Sequence, residues 1–487
     1  MQQKIDRVLL YSALGYLIVP ILLFTSLWLA WYICLPMLAF FALCTAKALF
    51  GKNKTEFKDI TPENKFLPKL LLLLFISVVW VALSGIGGFG FQNSDFHCRN
   101  VIFRDLVRLD WPVIYTMAGG MDMLCYYLVF WLPAALIGKI TGSFTIANLA
   151  LYVWTVLGIF LALYLFSRNI KKIKLIYILI FIFFSGMDIV LYMIRHLALP
   201  AAGQHLEWSF PLQFSSFTTT LFWVFNQTLA PWLVVMLLLA SKNNKSTVFF
   251  FSLCLPYAPL PCLGLFPLAA AMVVTGRPVQ LGEKGFVNRA AALWTNVKSA
   301  ITVQNLLIPL SLLFIFQQYY SLNSRTEAFE MALDPFSLTR MLFIFFEFGL
   351  LSLLILPAFY KKPLYWAANV TLICIASYYG SMQSDFIMRA SIPSLVVLCF
   401  YTVRWLKDRP ASASRVRAAA IITVLLIGAV TPAQEILRSL HYMTFERDKL
   451  AANQFYSMED DPRGIDFINF VGKDSQRTFF YKYLAKK

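Results

Sequence analysis

The sequence predicts an all-α, polytopic membrane protein with about 12–13 transmembrane helices of roughly 20 apolar residues each. Three observations carry that prediction. The 487 residues are 59% hydrophobic and 16% aromatic but only 14% charged, where a soluble chain carries about 25% charged residues. Soluble globular and disordered classes are therefore excluded. Runs such as Leu70–Leu83 and Phe249–Leu255 are apolar but for one serine each, whereas a barrel would alternate apolar and polar residues in strands of roughly ten. Finally, the basic residues cluster in short loops between the apolar runs.

Lys plus Arg is 42 and Asp plus Glu is 25, a net charge of +17. In a membrane chain this pattern is a topology signal, with attraction to anionic headgroups as a second effect. Nucleic-acid binding is set aside for that reason. Lys4 and Arg7 precede the first apolar run with no small-residue cleavage site after it, so the expectation is an uncleaved anchor.

The expected spans are 8–26, 28–49, 69–91, 144–167, 173–194, 218–240, 247–258, 262–275, 300–320, 340–358, 364–382, 389–406 and 418–437. The first two have almost no loop between them and form a hairpin. The pair at 247–275 holds Pro256, Pro259, Pro261 and Pro267 and reads as two short spans or a broken re-entrant pair. Met121–Ile140 decides the scheme. If it crosses, the loop with Arg168, Lys171, Lys172 and Lys174 and the later basic loops fall outside. If it lies flat or dips in and returns, six basic loops (51–68, 168–174, 241–246, 276–299, 361–362 and 404–417) share the inner face. The second reading is adopted. It puts the N-terminus on the inner, cytoplasmic face and the C-terminus on the outer face; the family resemblance given below implies that the membrane is a bacterial inner membrane and the outer side its periplasm. Residues 1–437 are expected to form the transmembrane domain, with a long outer loop at 92–143 that becomes the expected catalytic loop from the residues below. Residues 438–487 are expected to form a small helical periplasmic cap over the outer cavity.

The first outer loop follows a Gly-rich exit (Gly85, Gly87, Gly88, Gly90). Asp95 comes first, then His97, Arg99 and Asn100. Asn100, Arg104 and Arg108 recur at helical spacing, as do Val101, Asp105 and Leu109, predicting a short interfacial amphipathic helix. Trp111 to Tyr115 form an aromatic turn. For Arg108 and Asp110 a solvated, salt-bridged cap explains the charges. Asp95 stands at the membrane boundary, where an unneeded carboxylate is costly. There it can act as general base on the hydroxyl of a lipid-borne substrate.

The loop continues through Tyr126-Tyr127-Leu128-Val129-Phe130-Trp131-Leu132-Pro133 to Gly138-Lys139-Ile140-Thr141-Gly142. A long outer loop after an early span, an acidic residue at its start, an interfacial helix and this aromatic stretch resemble the GT-C class of membrane glycosyltransferases. The motif-level resemblance covers about residues 92–167. It implies a GT-C-like fold. It also implies a polyprenyl-phosphate-linked sugar as donor, a glycan or glycolipid as acceptor, and transfer on the non-cytoplasmic face. Asp95 matches the family's base or acceptor-orienting residue. Some members have an adjacent acidic pair; here the next carboxylate is Asp105, the second catalytic candidate. The Trp-Trp-Asp signature of oligosaccharyltransferases is absent.

Other outer-face residues complete the expected site. Asp188 lies in an apolar run and is either functional or satisfied by Arg195. His205, Glu207 and Trp208 suit a sugar, pairing hydrogen-bonding groups with an aromatic platform. His205-x-Glu207 also offers two ligands to a divalent metal, the one cofactor for which the sequence holds a candidate. Asn226 is either a ligand or a helix-helix contact. Arg389 is out of place by the positive-inside rule. It either pairs with Asp385 four residues earlier or grips the donor's phosphate, as an Arg fork does. Glu347 lies mid-span, in a proton path or a structural pair. Cys98 and Cys125 fall in one loop and are candidates for a disulfide; the other six cysteines read as small apolar residues.

The sequence-level reading is thus an inverting glycosyltransferase with Asp95 as base, Asp105 and Glu207 as further catalytic candidates, and Arg389 or Arg195 on the leaving phosphate. Two alternatives stand beside it. One is a lipid-linked-glycan flippase without chemistry, using Glu347 and Asp188. The other is an O-antigen polymerase or ligase type enzyme centred on His205 and Arg195. No nucleotide-binding loop and no clear internal repeat occur.

Overall fold

The computed structural model describes residues 1–117, 120–209, 212–276, 286–323, 331–333, 337–380, 382–409, 414–445, 456–460 and 469–487. Among these, eight helices are long and apolar enough to cross a membrane, and a ninth crossing is counted if one bent pair is a single span. The remaining expected spans are realised as shorter or broken helices.

Helices α1 (Gln2–Trp28) and α2 (Trp31–Phe50) form the expected hairpin. Helix α3 (Phe66–Leu83) stops sooner than the expected span, because Gly85, Gly87 and Gly88 all take positive φ, a conformation cheap only for glycine. The interfacial helix α4 (Phe96–Arg108) follows. Next comes a hairpin of β1 (Ile114–Met117) and β2 (Gly120–Leu124), antiparallel with Tyr115 opposite Asp122. A 3-10 turn at Leu128–Trp131 and the short α5 (Leu132–Thr141) complete the loop. Met121–Ile140 therefore does not cross as one helix.

Helix α6 (Phe144–Ile170) is capped by Ser143, whose hydroxyl accepts the Ile146 N–H. The expected span 173–194 is broken into α7 (Leu175–Ile182) and α8 (Asp188–His196). Neighbouring elements satisfy the freed backbone. Phe217 N–H donates to Phe184 O, Met187 N–H donates to Phe346 O, and the Thr218 hydroxyl donates to Ile182 O. Such breaks at membrane depth persist only with that support.

Helix α9 (Phe217–Ala240) is buried along its whole length, at the centre of the bundle. Trp232 stacks on Trp80 and meets Phe181 and Phe217 edge-on or tilted. Dense packing of this kind holds helices together where lipid is as apolar as the core. The proline-rich pair becomes α10 (Thr247–Ser252) and α11 (Pro259–Thr275). Helices α12 (Phe286–Ala300) and α13 (Val303–Tyr320) make the bent pair, with 66° between Ala292–Ala300 and Val303–Tyr320.

Strand β3 (Met331–Leu333) pairs with β4 (Tyr378–Gly380). Between them run α14 (Leu338–Ile344), a π-turn at Phe345–Gly349, α15 (Leu350–Phe359) and α16 (Pro363–Ala376). Helices α17 (Gln383–Ala390) and α18 (Ile392–Asp408) form one crossing, and α19 (Arg415–Gly428) with α20 (Val430–Phe445) another. At Gly264, α11 touches α17 so closely that a Cβ would overlap the Ala390 carbonyl.

The chain is nearly all-α and also carries two small sheets. The described residues of the tail pack on the rest of the chain. Residues 438–445 continue α20, and strand β5 (Val471–Gly472) joins β2. The end of the chain then docks at the α1–α2 turn, where Ala30 N–H donates to Leu484 O.

Three of the six basic loops meet at one end of the bundle. Arg168 donates to Lys58 O, Lys242 N–H donates to Glu56 O, and the Thr55 hydroxyl donates to Ser246.

Candidate functional site

A cavity of about 320 Å³ is lined by Asp95, His205, Glu207, Gln213, Trp223, Val224, Ser384, Asp385, Met388 and Arg389. That volume lies at the lower end of the small-molecule range of about 300–1,000 Å³. The residues come from the α3–α4 loop, the segment before α9, α9 itself and α17.

The break in α9 positions the first wall. Val224 departs from helical geometry (φ −135°, ψ 40°), which leaves the Phe222 carbonyl for another donor. The Asn93 side chain takes it at 2.9 Å, and the Asn93 side-chain oxygen accepts Asp95 N–H at 3.1 Å. Asp95 is thereby pinned at the start of α4. Its carboxylate pairs with Arg99 at 2.7 Å while remaining 43% exposed. Buried Arg99 lies over the Phe225 ring at 5.6 Å.

Glu207 forms the second wall and is 2% exposed. It accepts hydrogen bonds from Gln213 and the Ser215 hydroxyl, both at 2.6 Å, and from Ser216 N–H at 2.9 Å. Burial, reinforced by the nearby Asp188 carboxylate, pushes its pKa up to about 7. A carboxyl poised there exchanges a proton at neutral pH.

The third wall is α17. Arg389 Nη1 meets Asp385 at 2.5 Å. Its buried Nε has no hydrogen-bond acceptor among the described residues. An unused guanidinium N–H on a cavity wall can serve an oxyanion.

Behind His205 stands Glu435, 1% exposed. It takes His205 Nδ1 at 2.6 Å and Trp223 Nε1 at 2.9 Å, and Arg438 closes on the same carboxylate. The Arg438 guanidinium also covers the Trp223 ring at 5.1 Å. Sequence reasoning passed over Glu435, although it is the one carboxylate in the expected span 418–437. A lone intramembrane carboxylate is itself a signal. Trp223, Gln213, Ser384 and Met388 carried no comparable signal.

Asp95, His205, Glu207, Asp385 and Arg389 are thus brought together. Other candidates lie elsewhere. Asp105 is fully buried, accepting from the Tyr115 hydroxyl and Met458 N–H at 3.0 Å each, and burial raises its pKa. It ties α4 to the tail and does not line the cavity. Asp188 is buried behind the cavity and bonds Ser185 and Thr431, so its satisfaction does not depend on Arg195. Arg195 is exposed on α8 and does not line the cavity. Asn226 is buried within α9, with a long contact to Tyr127 O at 3.4 Å. The Trp208 side chain lies outside the described residues. Cys98 and Cys125 form no disulfide with each other, and the Cys125 thiol donates to Tyr319 O at 3.2 Å. No group of three or more metal-ligating side chains occurs among the described residues. No family model matches the chain, and no curated protein matches it.

Proposed function

We propose that the chain is a GT-C-like membrane glycosyltransferase that moves a sugar from a polyprenyl-phosphate donor to a hydroxyl of a glycan or glycolipid. The observation that carries this reading is the meeting of Asp95, Glu207 and Arg389 in one cavity. Asp95 takes the proton of the acceptor hydroxyl. The oxygen attacks the anomeric carbon as the bond to phosphate breaks, and the electron pair leaves on the phosphate. Arg389 receives that charge. One displacement inverts the anomeric configuration. The reaction takes place at the non-cytoplasmic face of a bacterial inner membrane, with the N-terminus cytoplasmic.

The test is donor consumption by purified protein in lipid, with a panel of polyprenyl-phosphate sugars. Asp95→Asn is expected to slow turnover about 10²- to 10⁴-fold, the scale of lost general-base catalysis. An Asp95→Asn protein as fast as wild type would end the proposal. A second reading, transport of a lipid-linked glycan without chemistry, is favoured by buried Asp188 and Glu347. It is distinguished by movement of intact donor across proteoliposomes with no release of lipid phosphate.

A further inference from the structure

Behind the cavity, three interrupted elements face one another. One is the break at 183–187 between α7 and α8. Another is the π-turn at Phe345–Gly349, with Glu347 at its middle. The third is the junction of α19 and α20, where a Cβ on Gly428 would press on the Ser185 and Gly186 carbonyls. π-turns inside helices recur at functional sites. Gly186 is required here because Glu347 occupies the space a side chain would need.

Asp188 and Glu347 are 6% and 4% exposed. Asp188 Oδ2 accepts from the Ser185 hydroxyl at 3.1 Å and the Thr431 hydroxyl at 2.8 Å. Neither oxygen of Glu347 receives an N–H or hydroxyl donor from the described residues. Instead the two carboxyl groups lie within hydrogen-bonding reach of each other. Two ionised carboxylates offer only acceptors and repel. A buried pair in that geometry needs a proton between its members.

We propose that Asp188 and Glu347 share one proton and form an intramembrane proton-binding site behind the cavity. The pair carries one negative charge, not two. Glu207 is the charged neighbour from the cavity side and feels both carboxyls. His205 faces Asp188 and is held on its other side by Glu435. Protonation of the pair therefore sets how readily Glu207 gives up its own proton. This inference stands apart from the sugar-transfer reading, because the pair exists with or without a donor.

Infrared difference spectroscopy of the purified full chain in lipid tests it. The measurement is made at about pH 8.5, where a group with a pKa of about 7 is ionised. Wild type is expected to show the C=O stretch of a protonated carboxyl, shifted in heavy water. Either Glu347→Gln or Asp188→Asn should abolish that band, since each new amide donates directly to the remaining carboxylate. Absence of the band from wild-type protein overturns the proposal without any variant. So does a wild-type band that survives in both variants. A band that appears only when sodium is removed would assign the site to a metal cation and also overturn it. Size-exclusion profiles matching wild type confirm that each variant is folded.

Discussion

Two arginine–aspartate pairs mark opposite roles in this molecule. Arg168 meets Asp6 through Nε at 2.6 Å and Nη2 at 3.1 Å, and Nη2 also donates to Lys58 O. The Tyr164 hydroxyl adds a further bond to Asp6 at 2.7 Å. Their side chains are 3% and 8% exposed. Arg389 meets Asp385 through Nη1 alone, beside a cavity, with Asp385 half exposed and Nε unused among the described residues. Residue type and charge are the same. Saturation of the hydrogen-bonding groups separates a fastener from a site.

Breaking the saturated pair should have the largest effect. Asp6→Ala leaves the Arg168 guanidinium buried without its carboxylate and should destabilise the fold by about 3–5 kcal/mol, read by thermal unfolding in detergent. Donor turnover per folded molecule should be unchanged. Arg389→Ala should do the reverse: turnover falls about 10²- to 10³-fold, the scale of a lost charge-stabilising donor, with a much smaller shift in unfolding. Equal stability losses in the two variants would erase the distinction.

A third experiment uses pH. Glu207 binds its proton more tightly folded than unfolded, its pKa rising from 4.5 to about 7. Its contribution is full below about pH 4.5 and is lost as pH rises through about 7. At 1.36 kcal/mol per pH unit, that is about 3 kcal/mol. Glu207→Gln should flatten this part of the stability profile. A profile as steep in the variant as in wild type would remove Glu207 from the account. The smallest effect is expected at Asp110, fully exposed and 3.9 Å from Lys139. Asp110→Asn should leave the unfolding temperature in detergent indistinguishable from wild type, and a clear drop would give this exposed pair structural weight.

Much of this organisation was legible in the sequence, for a physical reason. In a chain with so few charges, those outside the basic loops need an explanation, and Asp95, Glu207, Asp385 and Arg389 lie around one cavity. Asp105 shows the limit. Its composition and spacing resemble those of Asp95, yet Tyr115 and Met458 consume its oxygen. Met458 lies far along the chain, and no local pattern encodes that meeting. The broken span at 183–187 was hidden likewise. Its apolar residues read as one helix, while the interruption is supported by Phe346, Phe217 and Thr218 from distant segments. The hairpin at 114–124 was too short for its alternation to stand out from the apolar background. Glu435 was visible as a lone carboxylate, but its partners His205 and Trp223 were not.

The contact at Gly264 has a consequence for the cavity wall from behind. Helix α17 carries Asp385 and Arg389, and α11 leans on it where only hydrogen fits, against the carbonyl next to Arg389. The wall has no slack in that direction. A single methyl group at position 264 would act as a wedge and push the guanidinium out of line with no cavity residue substituted. The tolerance of that one outlying position is therefore a gauge of how finely the charge at the cavity must be set.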